Sequence, residues 1–104
     1  MVKVKWTDRS QRDLRNIREY IAVDSAYYAS KFIEKLILSV GNKLKSHPHT
    51  GKIVPEINQP YIREIKYGAY RIIYRVLTDE LHILTVWHSA RLLVNHPDFD
   101  SLYE

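Results

Sequence analysis

The stretch KYGAYRIIYRVLTDELHILTVWH, Lys66 to His88, decides the fold. Gly68-Ala69 between two runs rich in Tyr, Ile and Val suits a two-residue type II′ turn, because Gly takes the positive φ at the first central position. TDE around Asp79 makes a second turn. With YIREIKY upstream, three antiparallel strands follow: YIREIKY, YRIIYRVL and LHILTVWH. With Gly68 and Ala69 as the loop, Tyr67 faces Tyr70, Lys66 faces Arg71, Ile65 faces Ile72 and Arg63 faces Tyr74. With Asp79 and Glu80 as the second loop, Val76 faces Ile83, Tyr74 faces Thr85, Ile72 faces Trp87 and Arg71 faces His88.

That register separates two faces, since strand side chains alternate with a period of two. One carries Ile65, Tyr67, Tyr70, Ile72, Tyr74, Val76, Ile83 and Trp87 and belongs under helices. The other carries Glu64, Lys66, Arg71, Arg75, His82 and His88, interrupted by an apolar strip of Ile62, Ile73, Leu84 and Val86. A row Lys66–Arg71–His88 then crosses three strands. Like charges opposed on a sheet destabilise it, so Glu64, solvent or an anionic ligand should offset them. The apolar strip needs a cover. Either a partner's peptide or helix supplies it, or the C-terminal LLVNHPDFDSLYE does, through Leu92, Leu93, Phe99, Leu102 and Tyr103.

Upstream of the sheet, VKVKW reads as a short strand with Val2, Val4 and Trp6 on one face. Thr7 can cap a helix whose first turn holds Asp8. There Leu14, Ile17 and Ile21 recur at helical spacing, and Arg9, Arg12, Arg15 and Arg18 form a largely separate basic stripe. Asp24 or Ser25 caps a second helix, with Ala29, Phe32, Ile33, Leu36, Ile37, Val40 and Leu44 on its apolar face. So short a connection makes the two helices antiparallel neighbours. Ser46 to Pro60, with three prolines and a glycine, reads as loop. The expectation is an α+β domain: an N-terminal strand, then an antiparallel helical hairpin packed on one face of an antiparallel β-sheet, in the order β-α-α-β-β-β.

Length bounds the rest. The 104 residues make one domain, with residues 1–91 as its core and 92–104 as a tail. Sixteen Lys plus Arg against twelve Asp plus Glu give +4, which favours an anionic partner. With no cysteine, disulfides and thiolate metal sites are excluded. His47 and His49 lack a third ligand at suitable spacing, so no metal is expected, and nothing calls for a cofactor. MVKVKW is no signal peptide and no run approaches a membrane span, so a cytoplasmic protein without a membrane partner is the expectation.

IREIKYGAYRIIYRVLTDELHILTVWHSAR, after the helical hairpin and HPHTGKIVPE, resembles the RelE/ParE superfamily of type II toxin–antitoxin toxins. GAYRIIYRV and VWHSAR are the most specific parts, and the resemblance covers nearly the whole chain. It implies a small basic, growth-inhibiting toxin neutralised by a cognate acidic antitoxin in a toxin–antitoxin hetero-oligomer, with a role in plasmid stabilization. The antitoxin would use the strip Ile62, Ile73, Leu84 and Val86 with Arg75 at its rim. The longer helices and the ending VWHSAR look more ParE-like, which implies DNA gyrase inhibition and no enzyme activity. The alternative is a RelE-like, ribosome-dependent, metal-independent mRNA interferase. Arg71 would then clamp phosphate, His88 act as acid, Lys66 and Arg91 add charge, and Glu56 or Glu64 serve as base. A toxin relic that only binds antitoxin and co-represses its operon is the third reading.

Overall fold

The computed structural model describes residues 1–103. The chain runs β1 (Lys3–Trp6), α1 (Asp8–Ala22), α2 (Ala26–Ser46), β2 (Lys52–Ile53), β3 (Ile62–Tyr67), β4 (Tyr70–Val76) and β5 (Glu80–His88). Two 3-10 turns, Leu93–Asn95 and Phe99–Tyr103, end it. The caps form where the sequence puts hydroxyls. Thr7 accepts from the Ser10 N–H, and Ser25, rather than Asp24, accepts from Tyr28 N–H.

The strand order β1-β5-β4-β3-β2 makes one five-stranded sheet. It is mixed, not wholly antiparallel, because β1 returns alongside β5 in parallel. β2, inside the expected loop, adds two residues beside β3. The first hairpin has the expected pairs: Tyr67 with Tyr70, Lys66 with Arg71, Ile65 with Ile72 and Arg63 with Tyr74. Gly68 sits at φ +57, as the turn requires.

The second hairpin differs. Leu77 N–H donates to Glu80 O, so Thr78 and Asp79 form the loop; Val76 faces Leu81 and Tyr74 faces Ile83. Then Ile73 faces Thr85, leaving Leu84 as an extra residue on β5. This β-bulge reverses the facing of everything after it. Ile72 faces Val86, Arg71 faces Trp87 and Tyr70 faces His88. Trp87, expected under the helices, lies on the far face; Val86 and His88 move to the helix side.

Local capping accounts for the bulge. β1 ends at Trp6, so β5 loses its outer neighbour after Ile83. The start of α1 takes over that edge. Thr7 N–H donates to Ile83 O, and its hydroxyl lies 2.7 Å from Ile83 O and 3.3 Å from Leu84 O. Asp13 Oδ2 accepts the Val86 N–H at 3.0 Å and the Thr85 hydroxyl. Buried backbone groups need partners, and these side chains supply them where a strand would have.

Two cores result, one on each side of the sheet. Leu14, Ile33, Leu36, Val40 and Leu44 of the helices pack on Ile65, Ile72, Tyr74, Leu81, Ile83 and Val86. Ile37, expected on that face, is partly exposed instead. The second core joins Val54, Ile62, Ile73, Trp87, Leu93 and Leu102. The tail is therefore part of the fold, and it covers Ile62, Ile73 and Leu84 of the apolar strip. At about 1.5–3 kcal/mol for a fully buried leucine, Leu93 and Leu102, both 0% exposed, hold it down.

Polar contacts fix its register. His96 Nδ1 accepts the Asp98 N–H, so Nε2 bears the proton and donates to Thr85 Oγ1 at 3.0 Å. The same imidazole packs on Trp87, ring centroids 4.6 Å apart. Burial holds the His96 pKa below its ordinary value, with Asp13 and Asp98 opposing that shift. The unfolded chain takes up this proton first, so stability is full above about pH 6.5 and declines as pH falls below it. Urea unfolding at a series of pH values should show that decline, and His96→Gln should flatten it. Gly51 is tested separately. Its N–H donates to the buried Tyr74 hydroxyl, and a Cβ would lie 2.5 Å from both Glu64 O and Tyr74 Oη. Gly51→Ala should cost about 1–3 kcal/mol in chemical denaturation.

Candidate functional site

Arg71 stands on the sheet face away from the helices, between Glu64 of β3 and Glu56 of the loop before it. Nε and Nη2 donate to Glu64 Oε1 and Oε2 at 2.7 and 2.8 Å. Nη1 and Nη2 donate to Glu56 Oε2 and Oε1, each at 2.9 Å. Four of the five guanidinium N–H donors are thereby used. Both pairs are bidentate, the strongest geometry available to arginine. The two carboxylates hold the Arg71 pKa well above its ordinary value. The hydrogen bonds from Arg71 hold Glu56 below the usual carboxylate range, against a smaller opposing effect of burial. With two acids on one base, the cluster carries net −1.

The row Lys66–Arg71–His88 does not form. Lys66 does face Arg71, and Lys66, Glu56, Glu64, Arg71 and Ser89 line one cleft of about 250 Å³. His88 is on the other side of the sheet. Its ring meets Tyr70 edge to face at 5.3 Å, and its Nδ1 accepts the Ala90 N–H. Arg91 lies with His88 along a second cleft of about 340 Å³, its guanidinium 4.1 Å from the Trp87 ring. The residues named for an acid–base site are thus split between two clefts, Lys66, Arg71, Glu56 and Glu64 in one and His88 with Arg91 in the other. No single phosphate can touch Arg71 and His88 through the sheet. The double clamp of Arg71 was missed because Glu56 lies in a proline-rich loop; the opposed pair Lys66–Arg71 beside Glu64 was its only signal in the sequence.

The strip named for antitoxin contact also divides. Ile62 and Ile73 are fully buried in the second core, under the chain's own tail. Val86 is buried on the helix side. Leu84 is half-buried against the tail, and Arg75 lies with its guanidinium 5.1 Å from the Tyr61 ring. A partner would have to displace Leu93 and Leu102 to reach Ile62 or Ile73.

Clamping makes Arg71 a structural group. Glu64 is 2% exposed, so removing its partner leaves a buried carboxylate uncompensated. Arg71→Met should lower unfolding free energy by about 3–5 kcal/mol. The double variant Arg71→Met with Glu64→Gln should recover part of that loss in the same denaturation experiment.

The chain matches the profile of the family described as the ParE toxin of the type II toxin–antitoxin system parDE, over residues 4–93. It is 31% identical to Toxin RelE2 of Caulobacter vibrioides over 93 residues, which is 88% of this chain and 100% of that protein. Its fold is similar to a chain in the solved structure of the chromosomal ParDE TA system from P. aeruginosa. There the TM-score is 0.71 at 23% identity, covering 85% of this chain and 96% of that one. The matched region carries β1 from Val4 onward, both helices, the bulged sheet and the carboxylate-clamped arginine. The chain belongs to the ParE toxin family of the RelE/ParE superfamily.

Proposed function

We propose that this protein is a toxin that inhibits DNA gyrase and is held inactive by a cognate antitoxin. The observation that carries the first half is the clamp on Arg71. RNA cleavage by a 2′-hydroxyl needs a free cation at the phosphate and an acid near the leaving oxygen. Here four of the arginine's five donors are taken by Glu56 and Glu64, and the histidine faces the opposite side of the sheet. The protein then works by binding, without chemistry of its own, and its place is the cytoplasm, where gyrase and DNA are. The antitoxin half rests on membership of a parDE family and on the +4 charge, which suits an acidic partner.

One observation favours ribosome-dependent mRNA cleavage as the second reading: Lys66, Arg71 and Glu56 do share a cleft. That reading requires Glu56 to leave Arg71 when substrate arrives, and an acid other than His88.

The test is incubation of purified toxin with gyrase, plasmid and ATP. Linear, protein-linked plasmid should accumulate, and it should vanish when antitoxin is added in equal amount. Cleavage of mRNA on ribosomes with gyrase unaffected would overturn the gyrase reading. Activity in neither assay, with antitoxin binding intact, would identify a toxin relic.

A further inference from the structure

The arginines of α1 have no part in the clamp or in either core. Arg9, Arg12 and Arg15 line one wall of an open groove of about 390 Å³ between α1 and the tail, and Arg91 joins them from beyond β5. Two aspartates share the groove, and both are engaged. Asp13 Oδ2 holds Thr85 and the Val86 N–H, and Asp98 Oδ2 accepts Arg9 Nε at 3.0 Å. Arg12 and Arg15 are exposed and have no ion pair among the described residues. Arg91 is exposed too, and its stacking on Trp87 pre-orients a planar fork without a carboxylate. Three guanidiniums lacking acidic partners therefore border one groove.

We propose that this groove binds the phosphate backbone of duplex DNA. Three features select that ligand. Unpaired guanidiniums at one groove suit a repeated anion, and backbone binding needs charge alone. An unpaired base would want an open aromatic face. Trp87, at the groove, is only 6% exposed, with Arg91 and His96 packed on its ring. An acidic peptide would want apolar pockets for its side chains; the groove's own facing walls are arginines and the Pro97–Asp98 turn, and the apolar cleft of Ile17, Tyr20 and Tyr70 begins only past Trp87 and Arg91. The inference rests on the gyrase reading for its role: a protein that grips DNA would be held where gyrase works.

Fluorescence anisotropy of a labelled duplex of about 20 base pairs, titrated with the full chain without gyrase, tests it. With three phosphates neutralised, affinity should fall about 40-fold between about 50 and 200 mM salt. In Arg12→Gln/Arg15→Gln that fall should shrink to about 3-fold. Arg18→Gln/Lys35→Gln removes the same charge from outside the groove and should leave the salt dependence near that of the wild type. Equal losses in the two pairs would mean attraction by net charge only and overturn the proposal. So would tighter binding to a single strand, or full competition by poly-glutamate at equal charge. Because gyrase is absent from this assay, its failure leaves the plasmid-cleavage result standing, and the reverse also holds.

Discussion

One extra residue in β5, Leu84, sets what each side of this molecule carries. Before it, Leu81 and Ile83 point under the helices; after it, Val86 does, three positions on from Ile83. Trp87 turns outward to found the second core, and His88 turns inward beside Tyr70. The bulge is stabilised from α1. Thr7 and Asp13 satisfy the carbonyls and amides that β1, ending at Trp6, leaves bare. A strand edge is thus closed by a helix start.

The outward turn of Trp87 gives the tail something to pack on. Leu93 and Leu102 bury against Ile62, Ile73 and Trp87, and the polar chain from Asp98 through His96 and Thr85 to Asp13 ties tail, sheet and α1 together. Residues 94–103 lie beyond the part that matches the family profile, yet His96 and Leu102 are among the buried groups. The tail also forms one bank of the basic groove, so the packing that covers Ile62 and Ile73 also places Asp98 opposite Arg9.

Electrostatics separates two sets of arginines. Arg71, the cation best placed by its strand to meet an anion, is answered internally by Glu56 and Glu64. Arg12, Arg15 and Arg91 are not answered by carboxylates. A buried, doubly paired arginine is costly to break, because its loss leaves buried carboxylates uncompensated. Exposed unpaired ones cost the fold little and leave their charge for a partner.

Local rules sufficed for much of this in the sequence. The Gly68-Ala69 turn fixed the β3–β4 register, because glycine's positive φ is a local requirement. Thr7 and Ser25 marked both helix starts, and helical spacing picked out Leu36, Val40 and Leu44. Residue identities from GAYRIIYRV to VWHSAR carried the family. The tertiary structure alone decided the rest. Whether Leu84 is paired or extra depends on where β1 stops and α1 begins, some 76 residues away along the chain. Whether Arg71 meets solvent depends on a loop carrying Glu56, fifteen residues off. Alternation along a strand has no memory of distant partners, so a single unpaired residue reverses it, and only the packed chain shows where that residue is.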